Sequence, residues 1–154
     1  MTISLDFVTI AGAIAALDIP GISIKDITGI PDSNLLTTPV MYPIFERFIT
    51  DFNGFNPETF GISGNEQMTV TYTLNYRYLH CTIGTISNVA AVYGGFIENI
   101  EKIAEKIMNN DTLSGVTDIR LGLIPAMGTI PDSVGNMYLG CDLQMFIKEY
   151  VGGA

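Results

Sequence analysis

Residues 66–81 read EQMTVTYTLNYRYLHC, and their alternation of apolar with polar side chains predicts one long, half-buried β-strand from Glu66 to Cys81. Successive side chains on a strand face opposite sides. Met68, Val70, Tyr72, Leu74, Tyr76 and Tyr78 therefore share one face, and Thr69, Thr71, Thr73, Asn75 and Arg77 the other. A strand with one apolar face needs a layer to cover it, and one follows downstream. From Ile86 to Asn109, Val89, Val92, Tyr93, Phe96, Ile97, Ile100, Ile103, Ala104 and Ile107 recur on one stripe at helical spacing. The Gly94–Gly95 pair inside this helix costs about 1 kcal/mol per residue relative to Ala, and it marks a close approach to the sheet or a kink.

Upstream, Ser4 to Leu17 reads as a first helix, with Ser4 as N-cap and Phe7, Ile10, Ala11, Ile14 and Leu17 on one side. Pro20-Gly21 ends it, and Ile22 and Ile24 suggest a short strand closed by Gly29 and Pro31. Leu35 to Phe52 carries two competing periods. Val40, Tyr42 and Ile44 alternate between Pro39 and Pro43, which suits an edge strand, whereas Phe45, Phe48, Ile49 and Phe52 have helical spacing. The reading is an edge-like extended segment that turns helical after Pro43. Asn53 to Asn65, with Gly54, Pro57, Gly61 and Gly64, is expected to be a loop carrying Phe55 and Phe60. Beyond the second helix, Thr117 to Leu123 starts a strand, Pro125 to Asn136 interrupts, and Met137 to Ile147 forms the last strand. That is a hairpin with a tip of about twelve residues where two to five are usual. The expected fold is α+β: a single domain over residues 1–154, with a mostly antiparallel sheet, two helices on one face and a long-tipped C-terminal hairpin.

Seven basic against sixteen acidic residues leave a formal charge of −9, which repels phosphate backbones and anionic lipid and argues against specific nucleic-acid binding. Apolar residues make up 47% of the chain and charged residues only 15%, which fits either a large single core or an apolar surface shared with another subunit. No apolar run approaches the roughly 18 residues of a membrane span, and the N-terminus lacks a basic leader region, so a soluble, non-exported chain is expected. Cys81 and Cys141 each lack a second Cys or His at metal-ligand spacing, and two unpaired cysteines suit a reducing cytoplasm.

Catalytic patterns are sparse. Neither glycine-rich phosphate-binding motif occurs. His80 is the only histidine, which removes multi-histidine metal sites, and its place at the end of the apolar face predicts a hydrogen-bonded structural role. The Cys81 side chain is expected to diverge from His80 on a strand, leaving the thiol unactivated. Asp118 and Asp142 are the nearest approach to an acid–base pair, on neighbouring strands of the final hairpin, but both fall on polar sides and read as surface carboxylates. No catalytic residue, metal ligand or cofactor is assigned.

The element order, carried by Pro39-Val40-Met41-Tyr42-Pro43, the strand Met68 to His80, the helix Val89 to Met108 and the strand Tyr138 to Ile147 ending in Lys148-Glu149-Tyr150, resembles the tail-terminator and tail-completion (head–tail joining) proteins of long-tailed bacteriophages. The resemblance implies a non-enzymatic virion protein, assembled in the host cytoplasm. It would form a ring, usually a homohexamer, that closes the tail tube and meets the tail tube protein and a neck or connector protein. The genome would pass without specific binding, and neither cofactor nor membrane would be involved. Under it, the interface candidates are Phe55 and Phe60, Met127, Ile130 and Asp132 of the long tip, and Thr71, Thr73, Asn75 and Arg77 of the polar strand face. Two other readings stay open: a small-molecule-binding module with a closed apolar pocket between helices and sheet, and an enzyme working through His80 or Asp118 and Asp142.

Overall fold

Among the described residues, the long strand is the spine of a seven-stranded sheet. The computed structural model describes residues 7–30, 37–58, 67–83, 89–110, 117–122, 124, 127–132 and 135–151. Strand β4 (Gln67–Thr82) pairs antiparallel with β7 (Met137–Val151), from Met68 opposite Val151 to Thr82 opposite Tyr138. Two shorter strands, β2 (Val40–Pro43) and β3 (Ile49–Glu58), lie one after the other along the other side of β4. Likewise β5 (Thr117–Leu121) and β6 (Met127–Pro131) lie in succession along β7. A two-residue β1 (Ser23–Ile24) adds parallel to β2. All the other pairings are antiparallel, so the fold is α+β on a mostly antiparallel sheet.

Helices α1 (Phe7–Ala15) and α2 (Val89–Met108) cover one face. Ile10 and Ile14 of α1, and Phe96, Ile100, Ile103 and Ile107 of α2, enter one core with Val70, Tyr72, Leu74, Tyr76 and Tyr78 of β4 and Leu139, Cys141, Leu143, Met145 and Ile147 of β7. Full burial of each such side chain contributes about 1.5–3 kcal/mol, so the four from α2 outweigh the roughly 1 kcal/mol cost of each glycine in its first half. Gly95 does lie close to the sheet, since a Cβ built there would sit 3.5 Å from His80 Nε2, whereas Gly94 faces open space. A second, smaller cluster of Val40, Leu79 and Tyr138, with Tyr42 and Ile130 against it, occupies the opposite face. That face is therefore apolar at one end and polar at the other.

The sequence reading needs correction in four places. Asn53 to Glu58 is not loop but the second half of β3, which accepts Gly54 and Pro57 because it is an edge strand with two register shifts and Asp51 at φ 54°. The helical stretch after Pro43 shrinks to a 3-10 turn at Phe45–Arg47 before β3 begins. Strand β2 is not an edge throughout, since Val40 and Met41 pair with β1 on one side and β4 on the other. The long C-terminal tip contains β6, which doubles back on β7 through a short turn. Ser4, the expected N-cap of α1, lies outside the described residues.

Candidate functional site

Cross-strand partners share a face, so the register lays the helix-free face out as rows. One row runs Asn53, Thr71, Lys148, Asp118 across β3, β4, β7 and β5; the next runs Thr50, Thr73, Phe146, Arg120. Over these rows lies a cleft of about 730 Å³, with Asp51 and Asn53 on the β3 side, Asp118 and Arg120 on the β5 side, and Thr71, Thr73, Phe146 and Lys148 between them. Gly122, just after β5, makes room for the aromatic part of this floor: a Cβ there would lie 2.4 Å from the Phe146 ring. Acidic and basic side chains alternate along the lining rather than concentrating one sign. Met108 at the end of α2, with Tyr72, Ile119 and Ile147 of the strands, completes the lining, so one end of the cleft reaches the helix layer.

Farther along the same face, Asp142 collects two guanidinium groups. Arg77 donates through Nε to Oδ1 at 2.8 Å and through Nη2 to Oδ2 at 3.2 Å, and Arg47 donates through Nη2 to Oδ2 at 2.6 Å. The carboxylate holds the Arg77 guanidinium above its ordinary range, mainly through the hydrogen bond. One residue row away, Asn75 Nδ2 donates to the Arg47 carbonyl at 2.9 Å and to Thr50 Oγ1 at 2.8 Å. These bonds stitch the 3-10 turn and the start of β3 onto the sheet.

The expected interface residues consequently fall into different places. Thr73 and Asn75 are only 3% and 4% exposed, so they belong to the interior of the fold and not to an open contact surface. Arg77 is engaged by Asp142, and Thr71 is half-buried in the cleft floor. Ile130 packs against the second core cluster. Asp132 accepts from Asn136 N and Nδ2, both at 2.8 Å, and so holds the β6–β7 turn. Met127 is exposed on β6. Phe55 lies on β3 and not on a loop, and Phe60 lies outside the described residues.

The chemically reactive groups are engaged in packing. Asn99 Nδ2 donates to Tyr78 Oη at 2.8 Å, so the Tyr78 hydroxyl is left to donate to His80 Nδ1 at 2.7 Å, which places the neutral ring's proton on Nε2. Burial lowers the His80 pKa, and burial pushes Tyr78 up to about 12 against the Asn99 hydrogen bond. The β4–β7 register shifts between Leu79 and Cys81, which leaves His80 in a bulge. Cys81 therefore does not diverge from His80: it packs on the helix-side core, where His80 meets Phe96 at 5.8 Å between ring centroids. Burial raises both thiols, Cys141 to about 12. Asp118 and Asp142 are not neighbours, because Asp118 stands across from Lys148 and Asp142 across from Arg77. On the helix side, buried Glu149 accepts from Tyr72 Oη at 2.5 Å. Among the described residues, no cluster of three or more His, Cys, Asp or Glu is placed to hold a metal, and no helix is long and apolar enough to cross a membrane.

Several large apolar side chains are exposed among the charged ones. Phe45 is 76% exposed, Phe52 43% and Ile49 36%, all in or beside β3; Met127 is exposed on the edge strand β6, Met137 at the start of β7, and Val8, Tyr93 and Met108 on the helices. Sequence reasoning missed the aromatic set because the helical spacing of Phe45, Phe48, Ile49 and Phe52 suggested one stripe, whereas Phe48 packs half-buried against the core, Phe52 stacks on Tyr72 while staying exposed, and Phe45 stands out. Neither a protein-family model nor a curated protein matches the chain.

Proposed function

We propose that the chain is a ring-forming structural subunit of a long-tailed phage virion, a tail terminator or neighbouring tail-completion protein that closes the tail tube and joins it to the neck. One contrast carries this reading. The histidine, both thiols and the Asp142 carboxylate are engaged in packing or ion pairs, while large apolar side chains stand exposed in and beside β3, on β6 and on both helices. Side chains arranged in that way suit association better than turnover. The α+β architecture agrees with the resemblance, and a charge of −9 per copy, repeated around a ring, would let DNA pass without adhering.

A second reading rests on the cleft, whose volume of about 730 Å³ falls within the 300–1,000 Å³ typical of small-molecule sites. It predicts saturable binding by a chain that stays monomeric. Negative-stain microscopy of the purified chain, alone and with tubes assembled from the tail-tube protein of a long-tailed phage, separates the two. Rings that cap one end of the tubes are expected. Tubes with bare ends and a field without rings would overturn the proposal.

A further inference from the structure

We infer that the cleft between β3 and β5 binds a neutral, linear oligosaccharide; this gives a ligand class to the cleft on which the second reading rests, and it holds for a ring subunit and a monomer alike. Charge narrows the ligand first. The lining sets Asp51 and Asp118 against Arg120 and Lys148, two carboxylates and two cations that cancel, in a chain whose formal charge is −9. The signs are interleaved, since Asp118 stands across from Lys148 and shares a face of β5 with Arg120. A phosphate or other anion would meet both carboxylates, and a cation both basic groups. A neutral ligand rich in hydroxyls meets neither repulsion and can use the polar groups around it: the carboxylates accept, the Arg120 guanidinium donates, and the Thr71 hydroxyl and Asn53 amide do both.

Shape and lining narrow it further. The walls stand on β3 and β5, which β4 and β7 separate by three inter-strand steps, about 14 Å in all. That breadth, with a volume of about 730 Å³, suits successive rings of a chain better than one compact group. A pyranose ring carries hydroxyls around its rim and C–H groups on its faces. Phe146, held against Gly122, and Met108 supply apolar surface for such faces, between walls that supply hydrogen bonds. The β3 wall is itself made by distorting the strand. Between Thr50 opposite Thr73 and Asn53 opposite Thr71, the two residues Asp51 and Phe52 stand against the single Tyr72. Phe52 stacks on Tyr72 at 6.2 Å between ring centroids, while Asp51 takes φ 54° and lines the cleft with Asn53. Regular alternation from Thr50 would carry residue 51 to the helix side, and the bulge re-aims it. Left-handed backbone is uncommon outside glycine, and such positions cluster at ligand sites.

An array of neutral linear oligosaccharides, of hexoses and of N-acetylhexosamines, screened with the labelled wild-type chain and followed by calorimetric titration of the tightest sugar, tests the site. Adenosine and triglycine, a nucleoside and a zwitterion, are titrated beside it. Saturable binding of a neutral oligosaccharide is expected. Two variants of exposed residues should each weaken it by about tenfold or more: Asp51→Gly, which removes the carboxylate and suits the left-handed backbone, and Arg120→Ala. Circular dichroism checks that both keep the wild-type Tm. Sugar binding that either variant leaves unchanged overturns the site, and an array without a bound sugar overturns the inference outright. Tighter binding of adenosine or triglycine overturns the sugar class while leaving the second reading in place. The ring reading is decided separately, by microscopy.

Discussion

The same substitution, glycine to alanine, should act with opposite sign at two positions, and the pair tests the packing of the central strands. At Gly140 in β7 an added Cβ would lie 2.4 Å from the Tyr78 carbonyl oxygen, 3.0 Å from Leu79 Cδ2 and 3.2 Å from Ile130 Cδ1. The leucine and isoleucine tips can rotate away. The carbonyl belongs to the backbone of β4, so relieving it means parting β4 from β7 by about 1 Å beside the His80 bulge, an overpacking cost near the upper end of the usual 1–3 kcal/mol. Loss of glycine's freedom in the unfolded chain returns about 0.4–1 kcal/mol, leaving Gly140→Ala destabilised by about 2 kcal/mol. For a chain of this length that corresponds to a Tm lower by roughly 4–8 °C. At Gly94, where a Cβ meets nothing within 4 Å on the exposed side of α2, the same change should stabilise by about 0.5–1 kcal/mol. Urea unfolding followed by circular dichroism, at one protein concentration for all three chains, measures both. A neutral Gly140→Ala, or a Gly94→Ala that loses stability, would refute the packing on which the reasoning stands.

Three further outcomes follow from the polar contacts. His80 is held neutral by burial, so its folded pKa lies below the ordinary 6.5; the unfolded chain binds the proton first, and the His80 contribution is complete above pH 6.5 and lost as pH falls through the folded value. NMR titration of this lone histidine should give a midpoint below 6.5, and a midpoint at or above it contradicts the assignment. Asp142→Ala strips the half-buried Arg77 of its partner and should cost about 2–3 kcal/mol, whereas Arg47→Ala, on a half-exposed arginine, should cost less than about 1 kcal/mol; a double-mutant cycle in urea tests the ranking. Asn75→Ala, which leaves the Arg47 carbonyl without that donor, should lower stability by about 1–3 kcal/mol with unchanged assembly of the folded fraction, and an assembly defect in a fully stable variant would return Asn75 to the interface.

Much of the architecture was legible because local pattern and burial agree. Val70 to Tyr78 and Leu139 to Ile147 alternate in sequence and do face the helices, and the stripe of Phe96, Ile100, Ile103 and Ile107 does meet them. The reading stopped where tertiary pairing decides. Gly54 and Pro57 signal a loop in isolation, yet an edge strand tolerates both, and only the partner β4 reveals the strand. The β6 segment, MGTIP, is too short and too rich in turn formers to announce itself without β7 beside it. Alternation correctly placed Thr73 and Asn75 on the face away from the helices, but no periodicity tells whether that face is open; the turn at Phe45–Arg47, bonded to Asn75, is part of what closes it. The bulge at His80 likewise depends on which residues of β4 and β7 pair, so the side of Cys81 was beyond local reasoning. The exposure of Phe45 and Phe52 was hidden in the same way, since they share helical spacing with Phe48 and Ile49 and only the fold shows which of the four stay uncovered.

Association into a closed ring is read from native mass spectrometry of the purified wild-type chain over a range of concentrations. One dominant closed species is expected, near 100 kDa for six copies of the 16.7 kDa chain, that does not grow as concentration rises. A 16.7 kDa monomer at every concentration, also in the presence of tail tubes, would contradict it.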